Sequence, residues 1–180
     1  MDQNSIILPE VRISGISEES VVDGPGYRFV IFTQGCPHDC PGCHNPQTHP
    51  CEGGSVVTGS HLLGQIRKNP LLRGVTFSGG EPFIQAGNLV PLAKQIRSLG
   101  KDIVTYTGYT WEFLNSGSNT ENSWRELLTQ TDYLVDGPFI EELKSLSIPF
   151  RGSANQRIID VQASLDRDSP VVLETFPGCL

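Results

Sequence analysis

Cys36, Cys40 and Cys43 are spaced C-x3-C-x2-C. Thiolates this close can converge on one metal centre, and an odd number cannot all pair as disulfides. Pro37, Pro41 and Pro46 break any helix, and Gly35 and Gly42 loosen the backbone, so the segment reads as a loop wrapped round something. Three ligands is the informative count. A structural zinc site or a simple electron-transfer cluster normally takes four protein ligands. Three cysteines on an iron–sulfur cube leave one iron free to bind a substrate or cofactor. The plainer alternative is a zinc-binding module with His44 or His38 as fourth ligand. It lacks the paired C-x2-C…C-x2-C layout of zinc ribbons, and His44 directly follows Cys43. Adjacent residues rarely aim at one metal, so His44 reads as lining the site.

The second chemical segment is Ser78-Gly79-Gly80-Glu81-Pro82. Two glycines let backbone approach a ligand and present carbonyls to it. Those carbonyls and the Glu81 carboxylate suit a ligand ammonium group. A turn with a carboxylate at a helix start explains the same residues, so the signal is weak alone. It gains force from following a strand, one crossover from the cysteine loop.

The elements that must position these residues alternate. Strands are expected at 11–17 (an edge strand), 27–33, 74–77, 102–106, 133–135 and 157–161, with a weaker candidate at 171–176. Helices are expected from Ser60, which reads as an N-cap, over 89–98, around 111–114 and 124–128, and briefly over 140–146. Residues 45–59 read as a polar connection. The alternation predicts an α/β fold with a parallel sheet and right-handed crossovers. The cysteine loop, 78–82, 106–109 and 136–139 each follow a strand's C-terminal end, the edge that carries the site in parallel α/β folds.

The totals bound the function. The chain has 180 residues, a net charge of −7, five cysteines, nineteen glycines and thirteen prolines. The length suits one domain, residues 1–180, with no repeat or linker. The negative charge argues against nucleic acid as partner. Clustered cysteines fit a metal site in a reducing compartment better than a disulfide framework. Residues 1–5 carry no basic region of a signal peptide, and no apolar run is long enough to span a membrane. A cytoplasmic location is expected.

C-x3-C-x2-C followed by Gly-Gly-Glu-Pro resembles the radical S-adenosylmethionine enzymes. The resemblance implies a 4Fe-4S cluster on Cys36, Cys40 and Cys43, with the fourth iron chelated by S-adenosylmethionine. Reductive cleavage then yields a 5′-deoxyadenosyl radical, so the cofactor supplies the hard chemistry and no catalytic side chain is required. Gly42 and His44 would pack on the cofactor, and Ser78, Gly79, Gly80 and Glu81 would hold its methionyl ammonium. Gly42 departs from the aromatic residue usual before the last cysteine. Tyr106, Asp136 and Arg151 are further cofactor-binding candidates. Packing is the plainer role for Tyr106 and Tyr109, a turn for Asp136, and an exposed loop for Arg151.

Val22-Asp23-Gly24-Pro25-Gly26-Tyr27-Arg28 looks like the opening of the glycyl-radical-enzyme activases. The segments 106–109, 134–139 and 151–156 are similar to the branch acting on anaerobic ribonucleoside-triphosphate reductase. This implies hydrogen abstraction from a glycine in a loop of the reductase large subunit, with flavodoxin or ferredoxin as electron donor and Asp23 as a guide for the loop. A pyruvate formate-lyase-type activase is the alternative, disfavoured by the short chain. The resemblance also implies a partial, open (β/α) barrel of about five to six mostly parallel strands, too few to close. Cys51 and Cys179 read as free thiols, and His49 and His61 as surface residues.

Overall fold

The computed structural model describes residues 8–179. The N-terminal residues on which the leader reading rests lie outside it. Eight strands form one sheet: β1 (Glu10–Ser20), β2 (Arg28–Thr33), β3 (Ser55–Thr58), β4 (Gly74–Gly79), β5 (Asp102–Tyr106), β6 (Tyr133–Asp136), β7 (Arg157–Asp160) and β8 (Val171–Leu173). Their spatial order is β3-β1-β2-β4-β5-β6-β7-β8, so β3 and β8 are edges and the sheet is open. The pairings β2–β4, β4–β5 and β5–β6 are parallel, and the other four are antiparallel.

The α/β expectation therefore holds, whereas five to six mostly parallel strands is corrected to eight in a mixed sheet. Two physical causes account for the difference. β3 is four residues long and largely exposed, so no apolar pattern marks it inside the polar connection. Between β6 and β7 only a single helical turn forms, at Glu141–Leu143, in place of the expected helix over 140–146. A parallel return needs a crossover, usually helical, and without one β7 comes back antiparallel to β6.

Five helices accompany the strands: α1 (Gly59–Lys68), α2 (Ala86–Ser98), α3 (Trp111–Gly117), α4 (Trp124–Gln130) and α5 (Val161–Arg167). The N-cap of α1 is Thr58, whose hydroxyl accepts from the His61 amide, and Ser60 lies inside the helix. The unforeseen α5 is capped by Asp160, whose carboxylate accepts from Ala163 N–H at 3.0 Å.

Alternation along the strands gives the sheet two buried faces. On one, Phe29, Ile31, Phe77, Ile103 and Leu134 meet Leu62 and Ile66 of α1, Leu92 and Ile96 of α2, and Leu127 of α4. On the other, Val104, Val135 and Ile158 lie under Phe176, flanked by Phe150 and Leu173. Each fully buried large apolar side chain contributes roughly 1.5–3 kcal/mol.

The N-terminal edge of the parallel strands is closed by Arg28, which is fully buried. It donates to Thr76 Oγ1 at 2.7 Å, the Val75 carbonyl at 2.7 Å, Asp102 Oδ1 at 2.6 Å and the Pro25 carbonyl at 3.2 Å. Burial lowers its pKa, and Asp102 opposes that shift. One guanidinium thus ties β2, β4, β5 and the preceding turn together, which leaves the opposite edge for the site.

Candidate active site

The base of the cysteine loop is fixed by backbone and amide bonds. Cys36 N–H donates to the His49 carbonyl at 3.0 Å and Gly35 N–H to the Thr48 carbonyl at 2.8 Å. Gln34, buried, sends its amide to the carbonyls of Gln47 and Pro50. Within the loop, Cys43 N–H donates to the Cys40 carbonyl, and Asn45 N–H reaches Cys43 Sγ at 3.4 Å. The prolines that deny this segment a helix leave the Sγ atoms on a short, pinned arch.

Cys36, Cys40 and Cys43 line one cavity, and loops from all four predicted strand ends contribute to it. Of the other candidates, His44, Ser78, Gly79, Gly80 and Tyr106 line the cavity, while Gly42, Glu81, Asp136 and Arg151 do not. Gly42 turns toward the Glu141 carboxylate. Asp136 is buried and accepts from the Trp111 amide at 2.8 Å and from Arg157, so it caps α3. Arg151 donates to the Glu174 carbonyl at 3.3 Å, and its Nε is buried without a partner. The Tyr106 hydroxyl donates to the Phe150 carbonyl at 2.9 Å, and burial pushes its pKa up. Asp23 lines the cavity and accepts from Ser20 Oγ at 2.5 Å.

Glu81 is fully buried. Its Oε2 accepts from His38 Nε2 at 2.7 Å, Thr107 Oγ1 at 2.8 Å and Gly108 N–H at 3.0 Å, and its Oε1 from Phe83 N–H at 3.0 Å. Ser78, Gly79 and Gly80 line the cavity instead, with the Ser78 carbonyl accepting from Thr33 Oγ1 at 3.1 Å. Gly80 must be glycine, because a Cβ there would lie 2.2 Å from the Gly35 carbonyl oxygen.

Two further histidines line the cavity: His38, weighed in the sequence only as an alternative zinc ligand, and His49. His38 sits in the cysteine loop and packs edge-on against Tyr109, ring centroids 4.4 Å apart. His49, expected at the surface, lines the cavity; its Nδ1 pairs with Asp39 at 3.2 Å and its Nε2 is buried without a partner. The signal for His38 was its position between two cysteines, but nothing in the sequence linked it to Glu81. His44 contacts the Phe139 ring at 4.9 Å, while His61 is exposed.

The donor set fits an iron–sulfur cluster with three protein ligands. All five cysteines are free thiols, three of them on this cavity. Among the described residues no three His, Cys, Asp or Glu groups gather as a single metal ion requires, and a cluster takes its ligands at separate vertices. Burial pushes the Cys36 thiol up to about 11, with Glu81, Cys40 and Cys43 adding to the rise. Cationic iron must offset that cost, since the thiolate is the ligand. No helix among the described residues is long and apolar enough to cross a membrane.

Comparison with known proteins follows the same residues. The family model of the 4Fe-4S single cluster domain matches residues 22–159, which span the cysteine loop and all four strand ends. The anaerobic ribonucleoside-triphosphate reductase-activating protein of Escherichia coli K12 is 33% identical over 144 residues, 76% of this chain and 90% of that protein. A putative glycyl-radical enzyme activating enzyme of Haemophilus influenzae is 44% identical over 100 residues, 54% of this chain and 37% of that one. QueE from Escherichia coli aligns with a TM-score of 0.44 at 23% identity over 56% of this chain and 53% of its own, too loose a likeness to carry weight. The chain belongs to the 4Fe-4S single cluster domain family and, within it, groups with the anaerobic ribonucleoside-triphosphate reductase-activating proteins.

Proposed function

We propose that this chain is a radical S-adenosylmethionine enzyme that generates a glycyl radical on anaerobic ribonucleoside-triphosphate reductase. The observation that carries the reading is the meeting of three thiols and the Ser78–Gly80 backbone on one strand-end cavity. Family membership over residues 22–159 supports it. When bound, the cluster and S-adenosylmethionine supply one-electron cleavage and the hydrogen-abstracting radical.

The chain's own residues bind and orient. Cys36, Cys40 and Cys43 hold the cluster by three thiolates. Ser78, Gly79 and Gly80, at the end of β4, would hold the cofactor ammonium, with His44 and Tyr106 beside them on the cavity. Gly42, Asp136 and Arg151 act from behind the lining. Asp23, on the same cavity, guides the glycine-bearing backbone loop of the reductase large subunit. Flavodoxin or ferredoxin, small acidic carriers, donates the electron. The mixed open sheet suits a partial (β/α) barrel in which the whole chain works as one domain, in the cytoplasm.

Anaerobic reconstitution with iron and sulfide, followed by reduction with S-adenosylmethionine, tests this. 5′-Deoxyadenosine should form, Cys40→Ala should abolish both iron retention and cleavage, and Cys51→Ser should keep both. A protein that holds zinc and cleaves nothing overturns the reading. Cleavage without radical formation on this reductase, but with it on another glycyl-radical enzyme, would favour the activase class without this partner.

A further inference from the structure

Glu81 stands where a cofactor ammonium would seek a carboxylate, yet the structure turns it elsewhere. It is fully buried, does not line the cavity, and already accepts four hydrogen bonds from the protein. A carboxylate has about four lone-pair sites, with three donors here on Oε2 and one on Oε1. To take a ligand ammonium it would have to release donors and be uncovered, at the cost of unpaired buried groups.

The four donors come from three places. Phe83 N–H belongs to the turn that follows β4, and Thr107 and Gly108 follow β5. His38 belongs to the cysteine loop, between Cys36 and Cys40. Glu81 N–H adds a fifth link, donating to the Gly35 carbonyl at 2.8 Å, one residue before Cys36. The imidazole of His38 lies directly on Gly108: a Cβ there would meet its ring at 2.4 Å. Tyr109 closes on the ring from the side. Glycine at 108 is therefore explained by the histidine that covers it.

We propose that Glu81 and His38 form a positioning pair. The pair locks the Cys36–Cys40 arm of the loop onto the ends of β4 and β5, and the cofactor ammonium is left to the Ser78–Gly80 stretch that lines the cavity. The role rests on the reading of Cys36, Cys40 and Cys43 as cluster ligands, but the lock exists in the metal-free chain. A charge-assisted bond of this kind, its carboxylate fully buried and its imidazole mostly so, is among the stronger single tethers a loop can have.

Per-cysteine alkylation of the metal-free protein, resolved by mass spectrometry, measures the lock without any cofactor. His38→Ala should raise the labelling rate of Cys36 and Cys40, and Glu81→Gln that of Cys40, at least about tenfold, the equivalent of one lost charge-assisted bond. At Cys40 the double variant should add little beyond either single one, because both remove the same contact. His38→Gln, which keeps a donor near the Nε2 position, should restore slow labelling. Exposed Cys51 should not change, and Cys179, packed against the second core, reports global unfolding. S-adenosylmethionine affinity of reconstituted His38→Gln should stay within about threefold of the parent. If Glu81→Gln weakens S-adenosylmethionine binding while Cys40 stays slow, or if the two substitutions add fully there, the positioning role is overturned. Loss of cleavage activity with the labelling pattern intact would instead count against the proposed reaction and leave the lock standing. If His38→Ala exposes Cys179 as well, the comparison of His38→Gln with His38→Phe decides: equal labelling in those two overturns the role of the donor.

Discussion

At the scale of the residue, the three thiols dominate. Cys36 has its thiol pushed up to about 11 by burial, from an ordinary value of 9.0. In the metal-free state it is protonated at neutral pH, and that form contributes stability fully present below 9. The contribution is lost as pH rises from there through about 11, because the unfolded chain ionises first. Loading metal requires the opposite form, so reconstitution must expel a proton from this residue. At pH 8 the metal-free protein should therefore alkylate Cys36 at least about tenfold more slowly than exposed Cys51. The difference should shrink as pH approaches 11. Equal rates at pH 8 would mean that Cys36 is not shielded as described. The cysteine spacing was legible because proline and glycine leave a loop no other use for three thiols. His49 was not legible: its place on the cavity comes from the backbone bonds that carry Gly35 and Cys36 to the Thr48 and His49 carbonyls, which leave no local pattern.

At the scale of the element, charge fixes what hydrophobic pattern does not. Asp136 ends β6, caps the first amide of α3 and binds Arg157 of β7, and Arg157 bridges on to Glu112 in α3. One network thus sets the position of a helix against two strands. Hydrogen bonding to Arg157 holds the Glu112 carboxyl down to about 2, from 4.5. A depressed carboxyl contributes stability that is present above 4.5 and lost as pH falls from there toward 2. Half-exposed Glu112 is screened by solvent, so the effect is modest. Glu112→Gln should be the less stable protein at pH 7, and its denaturation midpoint should converge with that of the parent by about pH 2. Parallel curves across that range would remove Glu112 from the network. The sequence offered Asp136 as a turn residue or a cofactor ligand. Arg157 was read only as part of a strand, because ion pairs between residues 21 apart leave no periodic trace. The central strands, by contrast, were readable from continuous apolar runs such as Phe29–Ile31, buried on both faces. β3 and α5 were not: one is exposed and short, the other a two-turn helix that turns only Val161 and Leu165 to the core.

At the scale of the molecule, the open mixed sheet puts its helices on one face and its cavity at the C-terminal ends of β2, β4, β5 and β6. Arg28 ties the other edge together. The parallel rule predicted which edge would gather the loops of the candidate site, and the loops after these four strands do meet there even though antiparallel strands flank them. The flanking strands escaped the rule because it speaks only to strands joined by crossovers. The cavity supplies thiols, backbone and aromatic edges, and the carboxylate paired with its His38 is buried away from the lining, which suits a reaction whose reactive species is carried by a cofactor. The most direct test is electron paramagnetic resonance on the reconstituted protein mixed anaerobically with purified anaerobic ribonucleoside-triphosphate reductase, S-adenosylmethionine and a reductant. A stable glycine-centred radical on the reductase, dependent on Cys36, Cys40 and Cys43 and unaffected by Cys51→Ser, is the predicted result. No radical on the reductase, under conditions where 5′-deoxyadenosine accumulates, would contradict the proposed partner.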